Sequence, residues 1–173
     1  MPNTVSDPDS GAASTISTEI GFGLRFFALL LLASIVFWVF TLHARLGPLQ
    51  RSIAYLSAVL ERVLMNGNAV SYDDNIVVET LTLNVNHECT GIFVFVLFAS
   101  FVLAYPTGWR ARFLGLVAGL PLLFAINVFR LATLARIVEV YPGAFFYFHE
   151  YVWQGFFMVI VLVGAITWAE RYG

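Results

Sequence analysis

The stretch Asn86–Gly91, NHECTG, stands where a polar, alternating segment gives way to a long apolar one, and it holds the only cysteine of the chain. A sulfur at the start of a membrane helix lies near unpaired backbone N–H groups and the positive end of the helix dipole, which favour a thiolate. This placement predicts a nucleophile at Cys89. The alternative is a small buried residue without reactivity, because free cysteines are commonly inert core residues.

The composition around this stretch is that of a membrane protein. The chain has 173 residues, of which 60% are hydrophobic and only 12% are charged, far from the balance of a soluble domain of this length. The net charge of −2 and the lack of a Lys/Arg-rich run exclude nucleic acid as a partner. We therefore predict an all-α integral membrane protein in contact with membrane lipid.

Upstream of the cysteine, the sequence predicts a tail, one span and one surface helix. Residues 1–20 are polar and rich in Ser, Thr, Asp, Gly and Pro, which predicts a disordered cytoplasmic tail ahead of a single membrane-embedded domain, residues 21–173. Residues 26–44 carry no formal charge and predict the first transmembrane helix; a cleaved signal peptide is the alternative. Apolar residues spaced three and four apart over residues 48–65 predict an amphipathic helix at the membrane interface.

Between that helix and the cysteine, Leu81, Leu83 and Val85 alternate with polar residues, which predicts a short extracytoplasmic strand or hairpin. Downstream, apolar runs at about residues 91–106, 113–135 and 151–169 predict three more spans, making about four in all.

The arginine distribution predicts the orientation. Arginines at positions 25, 110, 112 and 171 would flank one side of a four-span bundle, which predicts cytoplasmic termini, although those at 45, 51 and 62 fall on the other side.

The span lengths bring three polar residues to one face of the bilayer. Arg130 lies about 27 Å along a helix that begins at Phe113, while Cys89 and His149 each stand just before an apolar run. We predict a site at which these three side chains meet. The alternatives are that Arg130 reaches to the interface or pairs with Glu139, and that His149 is an ordinary interfacial residue.

The residues beside the cysteine leave further alternatives open. Glu88 can cap a helix, and His87 is a rival to His149 as the base. A metal site is not expected, since one cysteine and scattered histidines lack ligand spacing, and no cofactor is expected either.

Three short motifs, taken together, resemble the exosortase/archaeosortase family of membrane cysteine transpeptidases. They are Glu88–Gly91, Asn127–Arg130 and Phe148–His149 followed by an apolar helix, and the resemblance covers roughly residues 83–163. The short chain is similar to the compact exosortase H type. The resemblance implies Cys89 as the nucleophile, Arg130 as the stabilising charge and His149 as the acid/base. Supporting positions are His87, Glu88, Thr90, Gly91 and Asn127; many relatives have Ser-Gly in place of Thr90-Gly91.

The resemblance also implies what such an enzyme would act on. Its substrates would be secreted proteins with a C-terminal sorting signal: a short motif, a transmembrane helix and a basic tail. The chain would cleave at the motif through a thioester and transfer the new carboxyl end to an unknown acceptor, from a multi-pass position in the inner membrane with the site facing the periplasmic side. Alternatives are an intramembrane cysteine protease that only hydrolyses and a non-catalytic membrane scaffold.

Overall fold

The fold is mostly helical with one small sheet. The computed structural model describes the backbone of residues 8–42, 46–79, 81–86 and 88–172, and the side chains of these from Ile20 to Val39 and from Leu46 onward. The helices are α1 (Pro8–Leu42), α2 (Gly47–Met65), α3 (Ile92–Ala104), α4 (Trp109–Val140), α5 (Phe145–Tyr147) and α6 (Trp153–Tyr172), and the strands are β1 (Val70–Tyr72), β2 (Asn75–Val78) and β3 (Leu81–Asn84). A π-helical turn, Phe148–Val152, joins α5 to α6.

Three helical segments of the described chain are long and apolar enough to cross a membrane: Ile20–Val39, Trp109–Val140 and Pro142–Tyr172. The second predicted span, residues 91–106, forms the helix Ile92–Ala104, which at 13 residues is about 20 Å long against a hydrocarbon core of about 30 Å. The helix is shorter than the predicted span because Gly91 precedes its first residue and because Tyr105, whose backbone is extended, follows its last one. The part of the chain that the structure describes therefore contains three candidate spans and one shorter apolar helix.

The ends of two helices differ from the sequence prediction. The first helix begins at Pro8, within the segment predicted to be a disordered tail, while residues 1–7 lie outside the described part. A proline is compatible with the first turn of a helix, where its missing N–H costs nothing. The fourth helix begins at Trp109 and continues to Val140, so it is longer than the predicted 113–135.

The predicted strand is one of three. The sheet has the order β1-β2-β3 with antiparallel pairing, in which Val70 faces Val77 and Asn75 faces Asn84. Its buried residues pack with α2 and α4 into one core, formed by Ile53, Ala54, Ala58, Ala69, Ile76, Val78, Val85, Cys89, Leu131, Leu134, Ala135 and Trp153. The amphipathic helix therefore buries its apolar side against the sheet and α4.

Two hydrogen bonds fix α2 against this core. The Gln50 side-chain amide donates to the Val85 carbonyl at 2.9 Å, and the Ser57 hydroxyl donates to the Val128 carbonyl at 3.2 Å. The first bond holds the end of the sheet and the second holds α4. Together they set the position of the chain immediately before Cys89.

A second core joins α3, α4 and α6 along the apolar part of the bundle. It contains Phe98, Val102, Leu123, Val161 and Trp168. A Cβ on Gly119 would overlap the Phe98 ring, so a glycine at this position lets α3 and α4 approach closely.

A buried carboxyl group, Glu61, gives a stability prediction. It is fully buried on α2, where Oε2 accepts a hydrogen bond from the Ala69 N–H at 3.1 Å and Oε1 has no partner among the described residues. Burial raises the pKa of Glu61, and the neighbouring Glu139 adds to this. A raised pKa in the folded state means that stability is greatest below the ordinary value of 4.5 and falls as pH rises through the folded value.

We therefore expect Glu61→Gln to raise the melting temperature at neutral pH and to remove this pH dependence, because the amide keeps an acceptor for Ala69 without a charge. Thermal unfolding of the detergent-solubilised protein between pH 4 and 8 measures both the melting temperature and its pH dependence. Glu61→Ala should lower the melting temperature, and the exposed Glu170→Gln should change nothing. Equal destabilisation by Gln and Ala would contradict the argument.

Candidate active site

Cys89 lies in a single 3₁₀ turn, Glu88–Thr90, between β3 and α3. Its N–H donates to the Asn86 side-chain oxygen at 3.0 Å and lies 3.1 Å from the Asn86 carbonyl oxygen. The side chain is 6% exposed. The sheet thus delivers the cysteine as a buried group ahead of the apolar helix.

Asn127 on α4 holds this turn from the other side. Its side-chain amide donates to the Cys89 carbonyl at 3.0 Å, and its Oδ1 is buried without a partner among the described residues. Gly91 adopts φ = 71°, and a Cβ there would lie 3.1 Å from the Asn127 side chain. Only glycine combines the left-handed backbone with this close approach. The positions of Asn127 and Gly91 are therefore coupled.

Gly91→Ala should displace the turn that carries Cys89. The left-handed conformation costs a residue with a Cβ about 1–2 kcal/mol, and the contact with Asn127 adds to that. We expect a lower melting temperature and a slower reaction of Cys89 with substrate, measured by thermal unfolding and by the mass of a co-expressed substrate. Gly164→Ala is the matched control, because nothing lies within 4 Å of a Cβ at that position. Unchanged reactivity in Gly91→Ala would show that the turn tolerates the change.

His149 approaches the sulfur from the segment ahead of α6. Its Nε2 lies 3.8 Å from Cys89 Sγ, and its Nδ1 lies 3.3 Å from Glu150 Oε1. The ring stacks on Phe145, with centroids 5.4 Å apart. Both ring nitrogens therefore have partners, and the π-helical turn at Phe148–Val152 provides this placement.

Arg130 is the buried cation beside the pair. It is 7% exposed on α4, its Nε has no hydrogen-bond partner among the described residues, and its guanidinium carbon lies 5.8 Å from the centre of the Phe157 ring. The expected alternative of a pair with Glu139 is not found, because Glu139 pairs with Arg136. Arg130 thus stays available to a charge that develops near Cys89.

The electrostatics of Cys89 differ from the sequence expectation of a stabilised thiolate. Burial raises the pKa of Cys89; the Arg130 guanidinium lowers it in part, and the Glu88 carboxylate raises it further. The reason is that the cysteine lies in a buried turn ahead of α3 and outside its first turn. A raised pKa favours the protonated thiol, and among the described residues the ring nitrogen Nε2 of His149 lies 3.8 Å from its sulfur.

An open cleft of about 600 Å³ lies between α3, α4 and α6, and Arg130, His149 and Glu88 line it, whereas the buried Cys89 does not. Its lining residues are Glu88, Gly91, Phe93, Val94, Arg130, His149, Glu150, Gln154, Phe157 and Met158. The lining combines polar side chains with apolar side chains from two helices, Phe93 and Val94 of α3 and Phe157 and Met158 of α6. Such a cleft suits a chain that is polar at one point and apolar beyond it.

The structure brings together most of the residues expected from the sequence. Cys89, Arg130 and His149 meet, Asn127 and Gly91 support the turn, and Glu88 lines the cleft. Thr90 is fully buried beside the cysteine, and His87 lies outside the described residues. Sequence reasoning missed Glu150, whose only signal was its position directly after His149. Among the described residues, no group of three His, Cys, Asp or Glu side chains could hold a metal ion.

Two comparisons with known proteins found a match, and the two matches agree with each other. The family described as Transmembrane exosortase (Exosortase_EpsH) matches residues 15–167. A protein of Methanocaldococcus jannaschii named "Probable archaeosortase E" is 24% identical over 123 residues, which are 69% of this chain. The match spans 66% of that relative's length. No solved structure matches the chain significantly.

Proposed function

Because the chain belongs to the transmembrane exosortase family, we propose that this multi-pass membrane protein is a cysteine transpeptidase that cleaves the C-terminal sorting signal of secreted proteins. The observation that carries the proposal is the 3.8 Å approach of His149 Nε2 to Cys89 Sγ, with the buried Arg130 beside them. A thiol in contact with an imidazole, with a buried cation beside them, provides the nucleophile, the base and the positive charge that acyl transfer needs.

The reaction begins with proton transfer. His149 takes the thiol proton as Sγ attacks the carbonyl carbon of the peptide bond, and the carbonyl oxygen acquires a negative charge. Arg130 stabilises that oxyanion, with the backbone N–H groups near Thr90 and Gly91 as further donors. Collapse of the tetrahedral intermediate breaks the C–N bond, and His149 returns its proton to the leaving amine. A thioester between Cys89 and the substrate remains.

The second half of the reaction releases the enzyme. An amine acceptor attacks the thioester carbonyl, His149 takes the amine proton, and the thiolate of Cys89 leaves and is reprotonated. Attack by water gives the same sequence with a free carboxyl end. The first outcome is transfer and the second is hydrolysis, so the mass of the product distinguishes them.

The arginines at one end of the helix bundle support a proposal for the side of the membrane that the site faces. Thr107 donates a hydrogen bond to the Tyr172 carbonyl at 2.6 Å, and the Phe22 ring contacts the Tyr105 ring at 5.7 Å between centroids. These contacts gather the segments that carry Arg25, Arg110, Arg112 and Arg171 at one end. Arg130 lies about 32 Å along α4 from Trp109, toward the other end. The positive-inside tendency supports an extracytoplasmic site in the inner membrane.

The proposed substrate fits the cleft. A peptide that precedes a transmembrane helix would meet the polar side chains of the cleft, Arg130 and His149, while the helix would lie beside apolar lining residues such as Phe157 and Met158. A basic tail on the cytoplasmic side would fix the substrate's depth in the bilayer. The acceptor of the new carboxyl end is a separate molecule.

Co-expression with a candidate substrate tests the proposal. The substrate is a secreted protein from the same genome that ends in a short motif, a transmembrane helix and a basic tail, and its mass is followed with the wild-type chain and with Cys89→Ala. Loss of the tail only in the wild type supports a thiol-dependent processing enzyme. Added hydroxylamine should trap the thioester as a hydroxamate. Equal processing in both strains would refute the proposal.

A further inference from the structure

We infer that Glu150 is a positioning residue that accepts a hydrogen bond from Nδ1–H of His149 and thereby keeps Nε2 free to take the proton of Cys89. The inference rests on the proposed function for its consequence in catalysis, while the contact itself stands on the structure. Glu150 Oε1 lies 3.3 Å from Nδ1, on the side of the ring opposite to the sulfur.

The contacts of His149 favour one of the two positions for the proton on its neutral ring. In a neutral imidazole, one nitrogen carries the proton and the other accepts, and the hydrogen bond of one nitrogen sets the state of the other. An ionised carboxylate only accepts, so it selects the form with hydrogen on Nδ1. Nε2, at 3.8 Å from Cys89 Sγ, then has a free lone pair directed to the thiol.

The local backbone supports this role. Glu150 and His149 lie in the π-helical turn Phe148–Val152, which places consecutive side chains on the same cleft. Gln154 Nε2 lies 3.5 Å from the other carboxylate oxygen, Oε2, and so restrains the Glu150 side chain on the far side. Phe145 stacks on the imidazole and limits its rotation.

The charges that face this pair agree with the assignment. Arg130, on α4, interacts electrostatically with both Glu150 and Cys89, and Glu88 is the other carboxylate that lines the cleft. When the proton moves from Cys89 to His149, the ring becomes a cation and the sulfur an anion. Glu150 then stabilises the imidazolium, and Arg130 stabilises the thiolate.

The first test measures which nitrogen of the His149 ring carries the proton. Nitrogen NMR of ¹⁵N-histidine-labelled protein in lipid nanodiscs, at a pH where the rings are neutral, reports which nitrogen carries the proton, and His149→Gln identifies the signal among three histidines. We expect hydrogen on Nδ1 in the wild type and in Glu150→Gln, whose side-chain oxygen still accepts. Glu150→Ala should shift the equilibrium toward hydrogen on Nε2. The same form in wild type and Glu150→Ala would overturn the inference.

The second test reads the consequence for the reaction. Glu150→Ala should slow processing by about 10- to 100-fold through kcat, by analogy with the loss that follows when the partner of a metal-bound histidine is removed. Glu150→Gln should retain more activity than Glu150→Ala, and Glu170→Ala, at the far end of α6, should match the wild type. Equal losses in the Gln and Ala variants would overturn the orienting role. If no substrate is processed by the wild type, the proposed function fails, whereas the NMR result still decides the placement of the proton.

Discussion

Cys89→Ala is expected to leave the sorting signal of a co-expressed substrate uncut. Removal of the nucleophile in an acyl-transfer enzyme costs on the order of 10⁶ in turnover, so no processed product should be detectable. The loss is chemical, because the side chain is small and 6% exposed, and an alanine fills most of its volume. The mass of the substrate's C-terminal end, with the amount of inserted protein as the reference, measures the effect.

Cys89→Ser is the sharper control for the same prediction. A serine is close to cysteine in size and keeps a group that can donate a proton, but its hydroxyl is a far weaker acid than a thiol and needs more help from His149 to become a nucleophile. We expect it to be as inactive as alanine while keeping the wild-type melting temperature. A scaffold would tolerate both changes. Normal processing in either variant would remove Cys89 from the mechanism.

The meeting of Cys89, Arg130 and His149 could be predicted from the sequence because spans of known rise per residue fix where a helix residue lies along the membrane normal. That argument needs only the apolar runs and the position of each polar residue in them. It gives the layer in which the residues lie, and the structure adds which atoms face each other. The family resemblance then connects the three residues with a chemistry.

The role of Glu150 and the resting state of Cys89 could not be predicted in the same way. The role of Glu150 depends on a π-helical turn, which has no clear sequence signal. It also depends on which nitrogen of the His149 ring the carboxylate contacts. The thiol state depends on burial, since the helix start at which we placed Cys89 is a buried turn whose desolvation outweighs the effect of Arg130. Periodicity along the chain carries no information on either.

The sheet was predicted in part for a related reason. Leu81, Leu83 and Val85 alternate with polar residues through β3 and past its end, which indicates a strand, whereas β1 has only three residues and β2 contains an unbroken apolar run, Ile76–Val78. Neither β1 nor β2 therefore shows the period of a half-buried strand, and β2 is held by burial of Ile76 and Val78 in the core that α2 and α4 share. Tertiary packing therefore decides these elements, and it decides where Cys89 is delivered.

Arg130→Ala is expected to reduce turnover by about 10² to 10³, which corresponds to the roughly 3–4 kcal/mol that one donor to an oxyanion contributes. The guanidinium is buried and its Nε has no partner among the described residues, so little of its interaction energy is committed before substrate binds. The effect should fall on kcat more than on KM, because the charge that it stabilises exists only in the transition state. Processing rates at several substrate expression levels separate the two.

A second variant separates the effect of the Arg130 charge from that of its hydrogen bonds, and a third is the control. Arg130→Lys keeps the positive charge but loses the planar donors, so we expect it to recover part of the activity if charge matters and little if directed hydrogen bonds matter. Arg136→Ala removes an arginine from the same helix whose partner is Glu139, and it should leave kcat near that of the wild type. If Arg130→Ala processes substrate at the wild-type rate while the protein remains inserted, the oxyanion must be stabilised by the backbone near Thr90 and Gly91 alone.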